Sequence, residues 1–297
     1  MYDRRAVPVY LLITFALSSV LYFLIIKSGH LGGAGGMYVT LLMWCPASAA
    51  MLTCKYLGRD VGSLGWKWGQ ARYQVMSYLI PLAYATITYS IVWITGLGDF
   101  YDKKFVDAII KSFGLGPLPP WAAISLYLVF AGTAGMVGSC ATALGEEIGW
   151  RGFLAPALAT RFSFTSTALI SGCIWSVWHY PILIFADYNA GTPTWYGLTC
   201  FTVMVVAMSF IFAWMRLKSG SLWTGVLLHA SHNLFVHHNG HGPNEIRDRR
   251  VWRRLGDCVH FLRCVFLVAA RRSDAFGRRR ESRSRVNAPS LTIRCIL

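Results

Sequence analysis

Charged side chains in this chain fall into short clusters, and long apolar runs separate them. The runs are 6–26, 37–54, 75–97, 121–145, 162–186, 196–215 and 219–239. A bilayer-crossing helix needs roughly 20 predominantly apolar residues. Most of the runs reach that length, and 37–54 is at the short end. The pattern predicts an all-α, polytopic membrane helix bundle with seven to eight transmembrane helices. Arg4 and Arg5 open the first run. Its length exceeds the roughly 7–15 apolar residues of a signal peptide, and no A-x-A-like cleavage site follows. It is expected to be a retained first span.

Composition agrees with the pattern. The chain is 55% hydrophobic and 14% charged, whereas a soluble domain carries about 25% charged residues. The formal charge of +15 invites a nucleic-acid reading, but its distribution argues against one. Residues 241–297 hold 14 of the 28 Lys and Arg and 5 of the 13 Asp and Glu. Every cation in that tail is arginine. Five of the eight cysteines lie in or at the ends of apolar runs, where cysteine packs as a small apolar residue. No C-x-x-C pair occurs, so neither a disulfide framework nor a thiolate metal site is expected.

Cations in short loops favour the cytoplasmic side. With the N-terminus inside, the inner loops hold Arg4, Arg5, Lys55, Arg59, Lys67, Arg72, Arg151, Arg161, Arg216 and Lys218. The outer loops hold Lys27, Lys103, Lys104 and Lys111. The balance favours an N-terminus in the cytoplasm and a multi-pass protein of the cell membrane.

Three divisions are expected: 1–118 with the first helices and loops, 119–240 with the candidate chemistry, and the Arg-rich tail 241–297. Within the 98–120 loop, Phe105, Ile109, Ile110 and Phe113 have near-helical spacing. That segment reads either as a short interfacial helix or as a connector packed on the bundle. The tail should begin outside after seven spans, yet it is the most basic segment. Its best apolar stretch, 258–270, is interrupted by His260 and Arg263, and 277–290 reads as disordered by composition. Cys295 is third from the end, so "RCIL" is not a prenylation box. The all-arginine bias and the topological misfit favour an altered reading frame over a solvated basic extension.

Ionisable residues inside spans are rare and usually face a bundle interior or a cavity. Three stretches qualify. In "LGEEIGWRGF", 144–153, Glu147 and Arg151 are i and i+4 and can meet on one helical face. Glu146 points about 100° away and is the less restrained carboxylate, suited to act as general base on water. The alternative is that both glutamates cap the end of the span at the inner surface. In "IWSVWHYPILIF", 174–185, His179 lies deep in an uncharged run, four residues after Trp175. In "LLHASHNLFVHH", 227–238, His229 and Asn233 share a face and could hold a water, a metal or an oxyanion. The alternative for both is interhelical hydrogen bonding. Small residues at Ala131, Gly135 and Ser139, and at Gly145 and Gly149, would let helices approach closely.

Together and in this order, the three stretches resemble the CPBP family of intramembrane proteases, also called the CAAX-protease, bacteriocin-processing or Abi family. Its E-E-x-x-x-R motif is matched by Glu146, Glu147 and Arg151. Its F-x-x-x-H motif is matched by Trp175 and His179, with tryptophan in place of phenylalanine. Its H-x-x-x-N/D motif is matched by His229 and Asn233. The resemblance implies an intramembrane endopeptidase, commonly of eight spans, acting on peptide or membrane-protein substrates. It implies that Glu146 and His179 activate water, that His229 and Asn233 stabilise the oxyanion, and that Glu147, Arg151 and Trp175 support the site. It also leaves open a zinc ion held by Glu146, His179 and His229.

Two features stand against a simple transfer. The eighth span is absent or degenerate here. A fourth span ending at 145 would also leave Glu146 near the inner surface, while His179 lies about 25 Å along its own run at 1.5 Å per residue. The competing functions are a non-catalytic membrane protein, such as an immunity factor or scaffold, and a proton- or ion-coupled transporter. No inverted repeat supports the transporter.

Overall fold

The computed structural model describes residues 3–29, 31, 34–96, 103–114, 116, 118–186 and 193–236. All regular structure among them is helical. The Arg-rich tail 241–297 and His237, His238 and His241 lie outside the described residues.

The first three helices are α1 (Ala6–Ser28), α2 (Ala34–Tyr56) and α3 (Ala71–Ile94), with a 3-10 turn at Val61–Leu64. The short helix α4 covers Lys103–Phe113. One continuous helix then runs from Pro120 to Ala159 over 40 residues. It is built from α5 (Pro120–Phe130), a π-helical stretch Ala131–Gly135, α6 (Met136–Glu147), a second π-helical stretch Ile148–Leu154, and α7 (Ala155–Ala159). Helices α8 (Phe164–Phe185), α9 (Thr194–Ser219) and α10 (Trp223–Phe235) complete the described chain.

Six of these helices are long and apolar enough to cross a membrane. The seventh expected run, 219–239, contains α10, which has 13 residues and packs between α3 and α6. Many large apolar side chains face outward, including Leu12, Val20, Ile94 and Val137. In water such a surface would aggregate; in a bilayer it meets lipid tails.

The expected end of the fourth span at residue 145 is corrected. The helix carries on for 12 residues beyond Glu147 before a turn at 160–163 leads into α8. At 1.5 Å per residue that is about 18 Å. Trp175 is 11 residues into α8, about 16 Å on the same scale. The two motifs therefore meet at one depth, and the tension in the sequence pattern disappears. A carboxylate pair ends an apolar run but not the helix, because its charge is neutralised by buried partners.

That correction also removes Arg151 from the inner loops. Its side chain is buried. Arg216 is buried as well, donating from Nε to Arg151 O at 2.7 Å and from a terminal nitrogen to Leu64 O at 3.3 Å.

Close helix approach follows from glycine. A Cβ on Gly145 would stand 2.7 Å from Met43 O, and one on Gly149 would stand 2.4 Å from Pro46 Cβ. This small face therefore seats α6 against α2. The second small face meets α10, where Ser139 Oγ donates to Ala230 O at 3.1 Å. Along α1, Ala6, Tyr10, Thr14, Ser18 and Tyr22 recur every fourth residue and are buried as one stripe. Segment 98–120 contributes α4, whose Val106 and Ile109 are buried with Ala123 of α5. Phe105 and Phe113 of α4 contact Tyr127 and Phe130 of α5. It is thus a helical connector packed on the bundle.

The turn between α9 and α10 is sunk into the protein. Ser221 and Leu222 are fully buried. Segment 64–74 covers the turn: Leu222 N donates to Gly65 O at 2.8 Å, and Trp223 Nε1 to Trp66 O at 2.8 Å. This arrangement starts α10 below the surface and brings His229, six residues on, to the depth of Glu147.

Candidate active site

The two adjacent glutamates sit 100° apart around one helix, and each finds a different set of partners. Glu146 is 2% exposed and Glu147 is 0% exposed. Isolated carboxylates at such burial are very costly, so each must be hydrogen-bonded or paired.

Glu146 is held by indoles. Its Oε2 accepts from Trp175 Nε1 at 2.7 Å and from Trp150 Nε1 at 3.2 Å. Trp150 lies one turn along the same helix, while Trp175 comes from α8. Glu146 Oε1 has no hydrogen bond to another described side chain.

Glu147 is held by one guanidinium and one imidazole. Its Oε1 accepts from Arg151 at 2.8 Å and from His229 Nδ1 at 2.9 Å. The Glu147–Arg151 pairing expected from the i, i+4 spacing is therefore present. Its Oε2 is buried without a hydrogen-bond partner among the described residues. The Cα of Gly225 faces it so closely that a Cβ there would stand 2.6 Å away.

The Arg151 guanidinium lies over two aromatic rings. It is 4.1 Å from the Trp175 centroid and 3.7 Å from that of Phe212. Desolvated cation–π contacts of this kind contribute up to about 2 kcal/mol. Arg151 can thus remain buried as a cation with one carboxylate and two ring faces for company.

His179 is partly buried. Its Nδ1 lies 2.9 Å from Trp175 O. A carbonyl only accepts, so Nδ1 carries the hydrogen, and a neutral ring presents a lone pair at Nε2. The ring is flanked by Trp178 at 4.8 Å and Phe201 at 4.9 Å between centroids. Trp178 is fixed in turn from α1: its Nε1 donates to Ser18 Oγ at 2.8 Å, and Tyr22 donates to its carbonyl. The α1 stripe therefore holds the wall behind His179.

His229 is buried and shares an edge contact with Trp175, centroids 5.4 Å apart. Asn233 is partly buried one turn further along α10, with no hydrogen bond to another described side chain. His232, between them, points to α3 and meets Tyr84 OH through Nδ1.

Zinc asks for three protein ligands converging on one point in an open site. Among the described residues, no three His, Cys, Asp or Glu side chains form such a group. Glu146, His179 and His229 as arranged here do not fit a zinc ion.

Similar proteins point the same way as the motifs. Residues 119–235 match the family model described as Type II CAAX prenyl endopeptidase Rce1-like. The matched segment is similar to the endopeptidase family that the three motifs resemble. CAAX prenyl protease 2 of Methanococcus maripaludis is 35% identical over 95 residues, which is 30% of this chain and 34% of that protein. The chain thus matches about a third of the length of that curated relative.

The matched segment contains Glu146, Glu147, Arg151, Trp175, His179, His229 and Asn233. The structure brings the first six into one connected cluster and leaves Asn233 at its edge. Three contributors escaped the sequence pattern. Trp150 carries a usable signal, since it is i+4 from Glu146. Phe212 and Gly225 carry none, because their roles exist only once α9 and α10 have docked on α6.

Proposed function

We propose that this chain is a CPBP-type intramembrane endopeptidase that hydrolyses peptide bonds with water activated by Glu146 and His179. The observation that carries the reading is the separation of the two glutamates. Glu147 is locked by Arg151 and His229. Glu146 keeps Oε1 out of any hydrogen bond to a described side chain, and both it and His179 are held by Trp175. A pure packing cluster would have no use for the second buried carboxylate.

In this mechanism Glu146 takes a proton from water while His179 Nε2 orients that water. The water oxygen bonds to the scissile carbonyl carbon, and the C=O electron pair moves to oxygen. His229 and Asn233 face that oxyanion. For His229 to donate there from Nε2 it must carry both ring protons, since Nδ1–H is given to Glu147. Glu146 then returns its proton to the leaving amine as the C–N bond breaks. Oriented donors at a developing oxyanion are worth about 10²–10³ in rate each.

The relatives' names make prenylated CAAX C-termini the first substrate class to try, with unmodified membrane-associated peptides alongside. The protein is placed in the cell membrane with its N-terminus in the cytoplasm. With Arg151 and Arg216 set aside as buried, the inner loops still hold eight cations against four outside.

Purified protein in lipid nanodiscs is mixed with prenylated and unprenylated peptides, and products are read by mass spectrometry. Glu146→Gln and His179→Ala are expected to lose cleavage while retaining the parent elution volume. Parent-level cleavage by Glu146→Gln overturns the mechanism.

A further inference from the structure

The indole of Trp175 occupies the place where the family motif usually has phenylalanine. Phenylalanine could give the same ring face to Arg151, but it has no N–H. Here that N–H makes the shorter of the two hydrogen bonds to Glu146, at 2.7 Å against 3.2 Å from Trp150. The same ring stacks on Arg151 at 4.1 Å and touches His229. Its backbone carbonyl accepts from His179 Nδ1 at 2.9 Å. The side chain is buried, with 4% exposure, and Phe212 closes its far side at 5.4 Å between centroids.

One residue therefore contacts Glu146, Arg151, His179 and His229. Its polar edge serves the first carboxylate. Its π face serves the guanidinium that neutralises the second. We propose that Trp175 is a positioning residue of this chain's site: its indole N–H fixes Glu146 Oε2, so that Oε1 is the oxygen presented to water.

The physical reason is directional. A buried carboxylate with a single weak donor can rotate about its last torsion, which is broad for sp³–sp² bonds. Two N–H donors on one oxygen define that rotation. They also stabilise the charged form, which is the form a general base needs.

The inference rests on the proposed protease reading for its kinetic arm only. In that arm, Trp175→Phe keeps the ring and removes the donor. The expected result is a kcat lowered about 10–100-fold with KM within twofold, as for an interaction made in the transition state. Trp150→Phe, which removes the longer bond, is expected to cost less. A role in packing alone would lower the melting temperature and yield but leave kcat of the folded fraction in place. Parent kcat in Trp175→Phe overturns the proposal.

The second arm needs no substrate. Protein labelled with ¹⁵N at the tryptophan indoles is examined by NMR in micelles, and the Trp175 signal is assigned by its loss in Trp175→Phe. A hydrogen bond to a carboxylate places the indole proton downfield. Glu146→Gln is expected to move the Trp175 and Trp150 protons upfield while the Trp223 signal stays. If Glu146→Gln leaves the Trp175 proton where it was, the proposal fails even if the parent cleaves. If the proton moves and no peptide is cut, the protease reading fails and the indole contact stands.

Discussion

Glu147 Oε1 lies 2.9 Å from His229 Nδ1, joining α6 to α10 across the centre of the site. The same oxygen is 2.8 Å from Arg151. One carboxylate oxygen thus fixes the ring orientation of His229 and pairs the charge of Arg151. Neither consequence depends on Glu146, which faces a separate set of donors.

Removing Glu147 should therefore be a stability event before it is a catalytic one. Breaking a buried ion pair on one side costs about 3–5 kcal/mol, because the other charge is left buried and uncompensated. Glu147→Ala is expected to melt well below the parent in detergent. Adding Arg151→Met should recover most of that loss without restoring activity. If the double variant is no more stable than the single, the pair is not the source of the loss.

Gly225 tests the geometry around the same carboxylate. A Cβ there would stand 2.6 Å from Glu147 Oε2. Gly225→Ala must displace the carboxylate or shift α10, and overpacking of this kind costs about 1–3 kcal/mol. Activity should fall with it, since His229 is tethered to the displaced group. Unchanged activity and melting temperature would show that α10 has room to yield.

Gly149 and Gly138 form a matched pair on α6 and its extension. A Cβ on Gly149 would meet Pro46 Cβ at 2.4 Å and Tyr10 OH at 2.5 Å, whereas one on Gly138 would meet nothing within 4 Å. Gly149→Ala is expected to abolish folded yield. Gly138→Ala should be neutral or stabilise by about 0.5–1 kcal/mol through helix propensity. Size-exclusion profiles and thermal melts of the two variants give the comparison, and similar behaviour would remove the close α2 approach as a determinant.

Asn233 has no hydrogen bond to another described side chain, so its loss should leave the bundle intact. Asn233→Ala is expected to lower kcat by about 10²–10³ with little change in melting temperature. A large stability loss with proportionate activity would make it a packing residue.

Much of the bundle was legible as apolar runs, because bilayer thickness imposes span length directly. The three motif positions were legible too, since polar residues are sparse enough in those runs to stand out. The helix through Glu146 and Glu147 was not. Charge ends a run in a sequence, but two of the partners that accommodate it, Trp175 on α8 and His229 on α10, lie far away in the chain. Arg151 was misplaced as a loop cation for the same reason. The π-helical stretch Ile148–Leu154 has no sequence signal that distinguishes it from α-helix. The pairing of His229 with Glu147 rather than with Glu146 needed the crossing of α6 and α10 to be known.

His229 follows Glu147 by 82 residues. At about 5–20 residues per second of synthesis, that interval is on the order of ten seconds. For all of it the His229 partner on α10 has still to be made, and for about its first third so has Trp175 of α8. Arg151 is the partner at hand, one turn away in the same segment. The internal salt bridge is therefore a provision for biogenesis as well as for the finished site. It lets the nascent helix enter the bilayer with part of its charge already settled, and the ribosome supplies the remaining partners afterwards.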